Sequence, residues 1–222
     1  MINIKPGIHL LTILSLLFGF KIDAQTVNKQ ITLEDLFVKR TFSERSVDGL
    51  RSMRDGENYT RFDDNYYLIL KCSYKTGKTV DTICDLRETG LDVSDYKFNS
   101  NESKILLETN RKAIYRHSFS AQYYVWDLIT KNIKPVSDKK YQQIADFSPD
   151  GSKVAYIFEN NIYYSDLETG TEVQVTTDGV KNQIINGIPD WVYEEEFSFN
   201  KAYESSPDGE KIAFIRFDET RV

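Results

Sequence analysis

The sequence predicts an all-β chain made of the N-terminal blades of a β-propeller, about three and a part of them, with one short helix. Three observations predict it. Tyr (14) and Phe (13) outnumber Gly (11) and Pro (5) in the 222 residues, a bias that favours strands because flat rings pack on pleated surfaces. A Ser-Pro-Asp-Gly turn leading into an alternating strand recurs along the chain. The recurrences are regular: Ser52, Ser100, Ser148 and Ser206 lie 48, 48 and 58 residues apart, in or a little above the range of a four-stranded blade. A β-sandwich with similar Asp-Gly hairpins is the alternative, and the even period favours blades.

From the N-terminus, residues 1–24 read as a secretory signal. Lys5 supplies a positive start, Ile8 to Phe20 is a run of 13 residues dominated by Leu, Ile and Phe, and Ala24 offers a small residue before a cut at Gln25. Thirteen residues are short of the roughly 20 that cross a bilayer as a helix, so an uncleaved anchor is the weaker alternative. The expected destination is the periplasm or the exterior. Removing the leader would leave one histidine, His117. A formal net charge of -6 with no Lys/Arg cluster argues against nucleic acid and anionic membrane as main partners, since both require clustered cations.

Residues 51–222 carry the blades. Ser148-Pro149-Asp150-Gly151-Ser152-Lys153-Val154-Ala155-Tyr156 matches Ser206-Pro207-Asp208-Gly209-Glu210-Lys211-Ile212-Ala213-Phe214 nearly position for position. Ser52-Met53-Arg54-Asp55-Gly56 is a looser copy, and the stretch from Ser100 to Leu106 lacks the Gly. Pro pre-sets φ, Asp accepts a local hydrogen bond and Gly takes φ > 0. A second turn follows each aromatic-rich strand, at Tyr74–Gly77, Asp127–Asn132 and Asp166–Gly170. Cys72 and Cys84 flank the first of these. A disulfide there needs a hairpin register offset from the turn, and export permits one, so the pairing stays open. Only 13 residues follow Gly209, too few for a blade. The expectation is a portion of a longer protein, with a four-bladed ring closed by an N-terminal strand as the alternative.

Self-contained hydrolysis finds no support: there is no G-x-S-x-G elbow, no phosphate-cradling loop and no metal-ligand spacing. His117 adjoins Ser118 in sequence, which suits a structural role better than a catalytic one. The stretch Asp190-Trp191-Val192-Tyr193-Glu194-Glu195-Glu196-Phe197 stands apart. Asp190 can cap a short helix whose acidic first turns suit the dipole. A solvated acidic turn is the bland reading. Three carboxylates among Trp191, Tyr193, Phe197 and Phe199, with no cation in the ten preceding positions, make a cation-binding role an equal alternative.

That stretch resembles the double-glutamate motif of the dipeptidyl peptidase IV group, within the prolyl oligopeptidase family of serine peptidases. Tyr115-Arg116-His117-Ser118-Phe119 is similar to the group's arginine-bearing strand, and Ile31–Asp35 with Gly49–Met53 to the segment leading into its propeller. The likeness is greatest to bacterial periplasmic members. It implies a lead-in segment over 25–50 with a short helix, an eight-bladed propeller, a C-terminal α/β-hydrolase domain beyond Val222, and a homodimer. It further implies peptide substrates with a free N-terminus and Pro or Ala second, and no cofactor or metal. Glu195 and Glu196 would bind the substrate ammonium and Arg116 a substrate carbonyl, with no catalytic residue in this chain. Ser205 departs from the Trp of the family pattern, which implies looser packing there. A non-catalytic propeller that binds peptides or proteins is the competing reading. Exported protein should begin near Gln25; N-terminal sequencing or intact mass checks this, and retention of residues 1–24 in a membrane fraction selects the anchor.

Overall fold

Residues 30–44 and 49–222 are described by the computed structural model, so the expected leader lies outside the described residues. The chain divides into two units, 1–45 and 46–222. In the first, Glu34–Val38 forms a single π-helical turn. The Thr32 hydroxyl donates to the Asp35 carboxylate at 2.8 Å and accepts the Asp35 N–H at 3.1 Å.

The second unit contains three four-stranded antiparallel sheets whose strands lie in sequence order, as blades require. They are β1 (Arg51–Ser52), β2 (Asn58–Phe62), β3 (Leu68–Ser73) and β4 (Thr79–Asp85); β5 (Val93–Phe98), β6 (Lys104–Ala113), β7 (Phe119–Asp127) and β8 (Ile133–Pro135); and β9 (Gln143–Phe147), β10 (Lys153–Phe158), β11 (Asn161–Asp166) and β12 (Glu172–Gln174). The strand period of two sends successive side chains to opposite faces, and here both faces are buried. Ile105 and Leu107 of β6 pack with Phe62 and Ile69 of the first sheet, while Leu106 between them packs with Val154 and Tyr156 of the third. Ala155 and Ile157 then face Tyr203 beyond the third sheet.

The recurring turn is defined by its hydrogen bonds. Met53, Asn99, Ser148 and Ser206 each donate a backbone N–H to the carbonyl five residues on, at 2.8 to 3.0 Å. The structural repeat thus starts at Met53 and Asn99, each one residue from Ser52 and Ser100, and the spacing is 46, 49 and 58 rather than 48, 48 and 58. Asn99 Oδ1 accepts the Lys104 N–H at 2.9 Å just as Ser148 Oγ and Ser206 Oγ accept those of Lys153 and Lys211. The fourth position needs positive φ, supplied by Gly56 (69°), Gly151 (75°) and Gly209 (68°), and by Glu102 (58°) where no glycine stands.

Ion pairs join the first strands of the three sheets in turn and tie the third to the segment ahead of β14. Arg51 meets Asp95 at 2.8 Å, Lys97 meets Asp146 at 2.6 Å, and Lys201 meets the other oxygen of Asp146 at 2.8 Å. Burial works to raise the Asp146 carboxyl, yet the charges and hydrogen bonds of Lys97 and Lys201 outweigh it and hold it below the ordinary aspartate value. Cys72 and Cys84 are both buried and free. The β3–β4 register pairs Cys72 with Thr79 and Cys84 with Ile69, so the two thiols stand three strand positions apart. Burial pushes the Cys84 thiol up to about 12, which leaves it inert.

After the third sheet the pattern changes. β13 (Ile184–Asn186) pairs with β16 (Arg216–Asp218), and β14 (Tyr203–Ser205) with β15 (Ile212–Phe214). The two ladders are one ladder interrupted on one side: Asn186 lies opposite Arg216 and Tyr203 opposite Phe214. Gly187 N–H donates to Ile215 O, Ile215 N–H to Ala202 O, and Ala202 N–H to Gly187 O, at 2.9 to 3.1 Å. Residues 188–201 leave the strand between consecutive rungs and return, which explains the long last spacing.

Two outcomes follow for stability. Gly187 has φ 77°, and an added Cβ would lie 2.7 Å from Ile157 Cδ1, so Gly187→Ala should destabilise by about 1–3 kcal/mol in denaturant unfolding. Ser205 holds the place before the turn that Phe147 holds in the third sheet, and beside it lies a cavity of about 170 Å³ bounded by Ala155, Tyr164 and Ile212. Ser205→Phe should fill it and raise stability by about 1 kcal/mol, and a fall in the unfolding midpoint would show that the ring is not admitted.

Candidate functional site

Two departures from the plain blade carry the residues singled out in the sequence. The first is the β6–β7 hairpin, which is longer than its neighbours. Its register shifts between Thr109 and Lys112, and Asn110 takes φ 53° there. Such a bulge re-aims the strand end. The Arg111 guanidinium lies 3.7 Å from the Phe119 ring centroid, across the base of the tip. Beyond the last rung, Ala113 opposite Phe119, the tip is closed by Ile114 N–H and Tyr115 N–H, which donate to Ser118 O at 2.9 and 3.3 Å. Arg116 sits at this tip.

The second departure is the excursion between Gly187 and Ala202. It contains helix α1 (Trp191–Phe197), opened by Asp190, whose carboxylate accepts the Tyr193 N–H at 2.8 Å. Ser198 closes it at φ 56°. The Tyr193 ring fixes the helix, packing on Phe197, Phe199 and, at 5.3 Å between centroids, Phe217 of β16. Aromatics around the carboxylates are therefore partly the helix's own anchor.

The three consecutive glutamates have three environments. Glu194 is 3% exposed, and one of its oxygens accepts the N–H groups of His117 and Ser118, each at 2.8 Å. Glu195 is partly buried and lies 3.4 Å from Arg116 Nε, while Glu196 is exposed. From the returning limb, Asn200 Nδ2 donates to His117 O at 2.9 Å. The Glu194 carboxylate is taken up by peptide N–H groups, which leaves Glu195 against Arg116 and Glu196 exposed one residue on; counted formally, these two carboxylates and one guanidinium carry a surplus of one negative charge. That surplus suits a monocation with several N–H donors. The Arg116 side chain, 70% exposed, keeps donors free for a carbonyl.

The fold thus brings Arg116 and Glu195 together from distant stretches, while Glu196, the next residue of the helix, is exposed. It also supplies the cation that the local sequence lacks. The backbone of His117, rather than its ring, makes the contacts to Glu194 and Asn200. The roles of Glu194, Asn200 and the Gly187–Ala202 closure were not read from the sequence; the ten surplus residues in the last spacing were the signal available. A cavity of about 750 Å³ adjoins the hairpin tip and α1, lined by Tyr115, Ser118, Trp191, Glu194 and Asn200 among others, but not by Arg116, Glu195 or Glu196. Among the described residues no group of three or more His, Cys, Asp or Glu side chains is placed to hold a metal ion.

Comparison with known proteins agrees with this architecture. Dipeptidyl peptidase 4 of Trichophyton tonsurans is 34% identical over 200 residues, which is 88% of this chain and 25% of that protein. Human prolyl endopeptidase FAP is 30% identical over 196 residues, 87% of this chain and 25% of that protein. The crystal structure of Porphyromonas gingivalis dipeptidyl peptidase 4 superposes with a TM-score of 0.81 at 38% identity, over 88% of this chain and 28% of that one. The chain spans about a quarter of the length of these curated relatives. Residues 99–222 match the family described as the dipeptidyl peptidase IV N-terminal region, and the chain belongs to that family.

Proposed function

We propose that this chain is the substrate-binding propeller portion of a secreted, periplasmic serine dipeptidyl peptidase that releases X-Pro and X-Ala dipeptides from peptide N-termini. In this reading Glu195 and Glu196 hold the substrate ammonium, and Arg116 hydrogen-bonds the carbonyl of the penultimate position. The full protein would close an eight-bladed propeller over an α/β-hydrolase domain that supplies the nucleophile, and would act as a homodimer. What supports the reading is the 3.4 Å approach of Arg116 to Glu195, which sets an exposed guanidinium, able to donate to a carbonyl, beside a carboxylate followed in the helix by a second.

The chemistry fits the activity. An ammonium has three donors and finds charge balance and acceptors in two carboxylates, and the pairing strengthens where water is excluded. Fixing the terminus sets the distance to the scissile bond, so binding geometry makes the enzyme an exopeptidase. None of these three residues takes part in acyl transfer.

In the full-length protein, Glu195→Gln or Glu196→Gln should lower kcat/KM on an unblocked Xaa-Pro substrate. Losing one member of a charge-assisted pair costs about 2–5 kcal/mol, roughly 30-fold to several thousand-fold. Labelling of the active serine by a small organophosphonate should persist, and an N-acetylated substrate should be refused by the wild type. Arg116→Ala should be milder, about 1.5–3 kcal/mol, because its partner is a neutral carbonyl. Wild-type kcat/KM in both Gln variants would remove the ammonium assignment.

A further inference from the structure

We propose that Glu194 is a positioning residue that fastens the arginine-bearing hairpin to the carboxylate helix and so fixes Arg116 relative to Glu195. The proposal rests on the ammonium-binding reading above and deepens it. A buried carboxylate is stable only where its acceptors are used, and Glu194 spends one oxygen on two adjacent N–H groups, those of His117 and Ser118. Two bonds to consecutive residues fix orientation as well as distance. Asn200 grips the same residue from its other end, through His117 O.

The helix does not need these contacts to stay in place. It is held by the Gly187–Ala202 closure, the Asp190 cap and the Tyr193 ring on Phe217. The hairpin tip does need them, because past Ala113 and Phe119 its own closure is two bonds to Ser118 O. Arg116 is one residue from the anchored His117, and Glu195 is one residue from the anchoring Glu194. The separation of the Arg116 guanidinium from the Glu195 carboxylate is therefore set through Glu194, with Asn200 in support, and no direct contact between Glu194 and substrate is required.

The test is a double-mutant cycle in the full-length protein, with kcat and KM measured on an unblocked Xaa-Pro substrate. Glu194→Ala should raise KM about 10- to 100-fold with a much smaller change in kcat, as expected for a displaced binding group, and organophosphonate labelling should be retained. Glu194→Gln keeps an acceptor oxygen and should lose several-fold less. In an Arg116→Ala background, Glu194→Ala should add less than about 3-fold, because its target is already gone. Losses that multiply, an unchanged KM in Glu194→Ala, or a Gln variant as impaired as Ala would each overturn the proposal. If Glu194→Ala is not recovered folded, Asn200→Ala enters the same cycle and is judged by the same non-additivity. Should Glu195→Gln and Glu196→Gln leave cleavage unchanged, the ammonium reading fails and the positioning role falls with it. Should they abolish cleavage while the Glu194 and Arg116 losses multiply, the positioning role alone falls.

Discussion

A blade must keep its hydrogen-bond ladder in register, and the site depends on how the last sheet meets that demand. The strand that begins at β13 stops at Gly187 and resumes at Ala202, and the bond from Ala202 N–H to Gly187 O draws the two ends together. The partner strand runs past without a missing rung, with Ile215 bonded to both sides of the gap. A residue without a Cβ suits the departure point, because φ is positive there and the third sheet's Ile157 and Ile162 side chains crowd the space a Cβ would take. The helix bearing the glutamates thus leaves and rejoins the sheet at one place and meets it again through the Tyr193 ring on Phe217, outside the ladder's own geometry.

The same separation holds at the rim of the sheets, where turns support turns. Gly209 faces the Asp150 carboxylate of the preceding sheet, and Gly151 faces Asn99 of the one before. In the first pair of sheets the contact is a hydrogen bond, from Arg54 N–H to the Glu102 carboxylate at 2.7 Å. Glu102 occupies a left-handed conformation that strains a side chain-bearing residue, and its bond across the junction offsets part of that strain.

Much of this was legible in the sequence. Repeated turns with Pro, Asp and Gly have a local cause, so the blades could be read residue by residue, and the surplus in the last spacing marked the excursion. The phase of the repeat was less clear: Met53 does the work of Ser148 by its backbone bond alone and Asn99 by that bond and a side-chain oxygen, so no one residue type marks the position. Arg116 and the glutamates could be quoted as separate motifs, but nothing local states that they meet. Glu194 looked like one more carboxylate in an acidic run. Its burial against the His117 and Ser118 peptide groups comes from another sheet, and periodicity does not encode such contacts.

Asp146 takes Lys97 from the second sheet with one oxygen and Lys201, at the edge of the last, with the other. Its folded value is depressed, so its contribution is present above the ordinary aspartate value of about 4 and is lost as pH falls through the lower folded value. A single protonation would then loosen two junctions together. The second and third sheets and the segment leading into β14 thus share one acid-labile rivet.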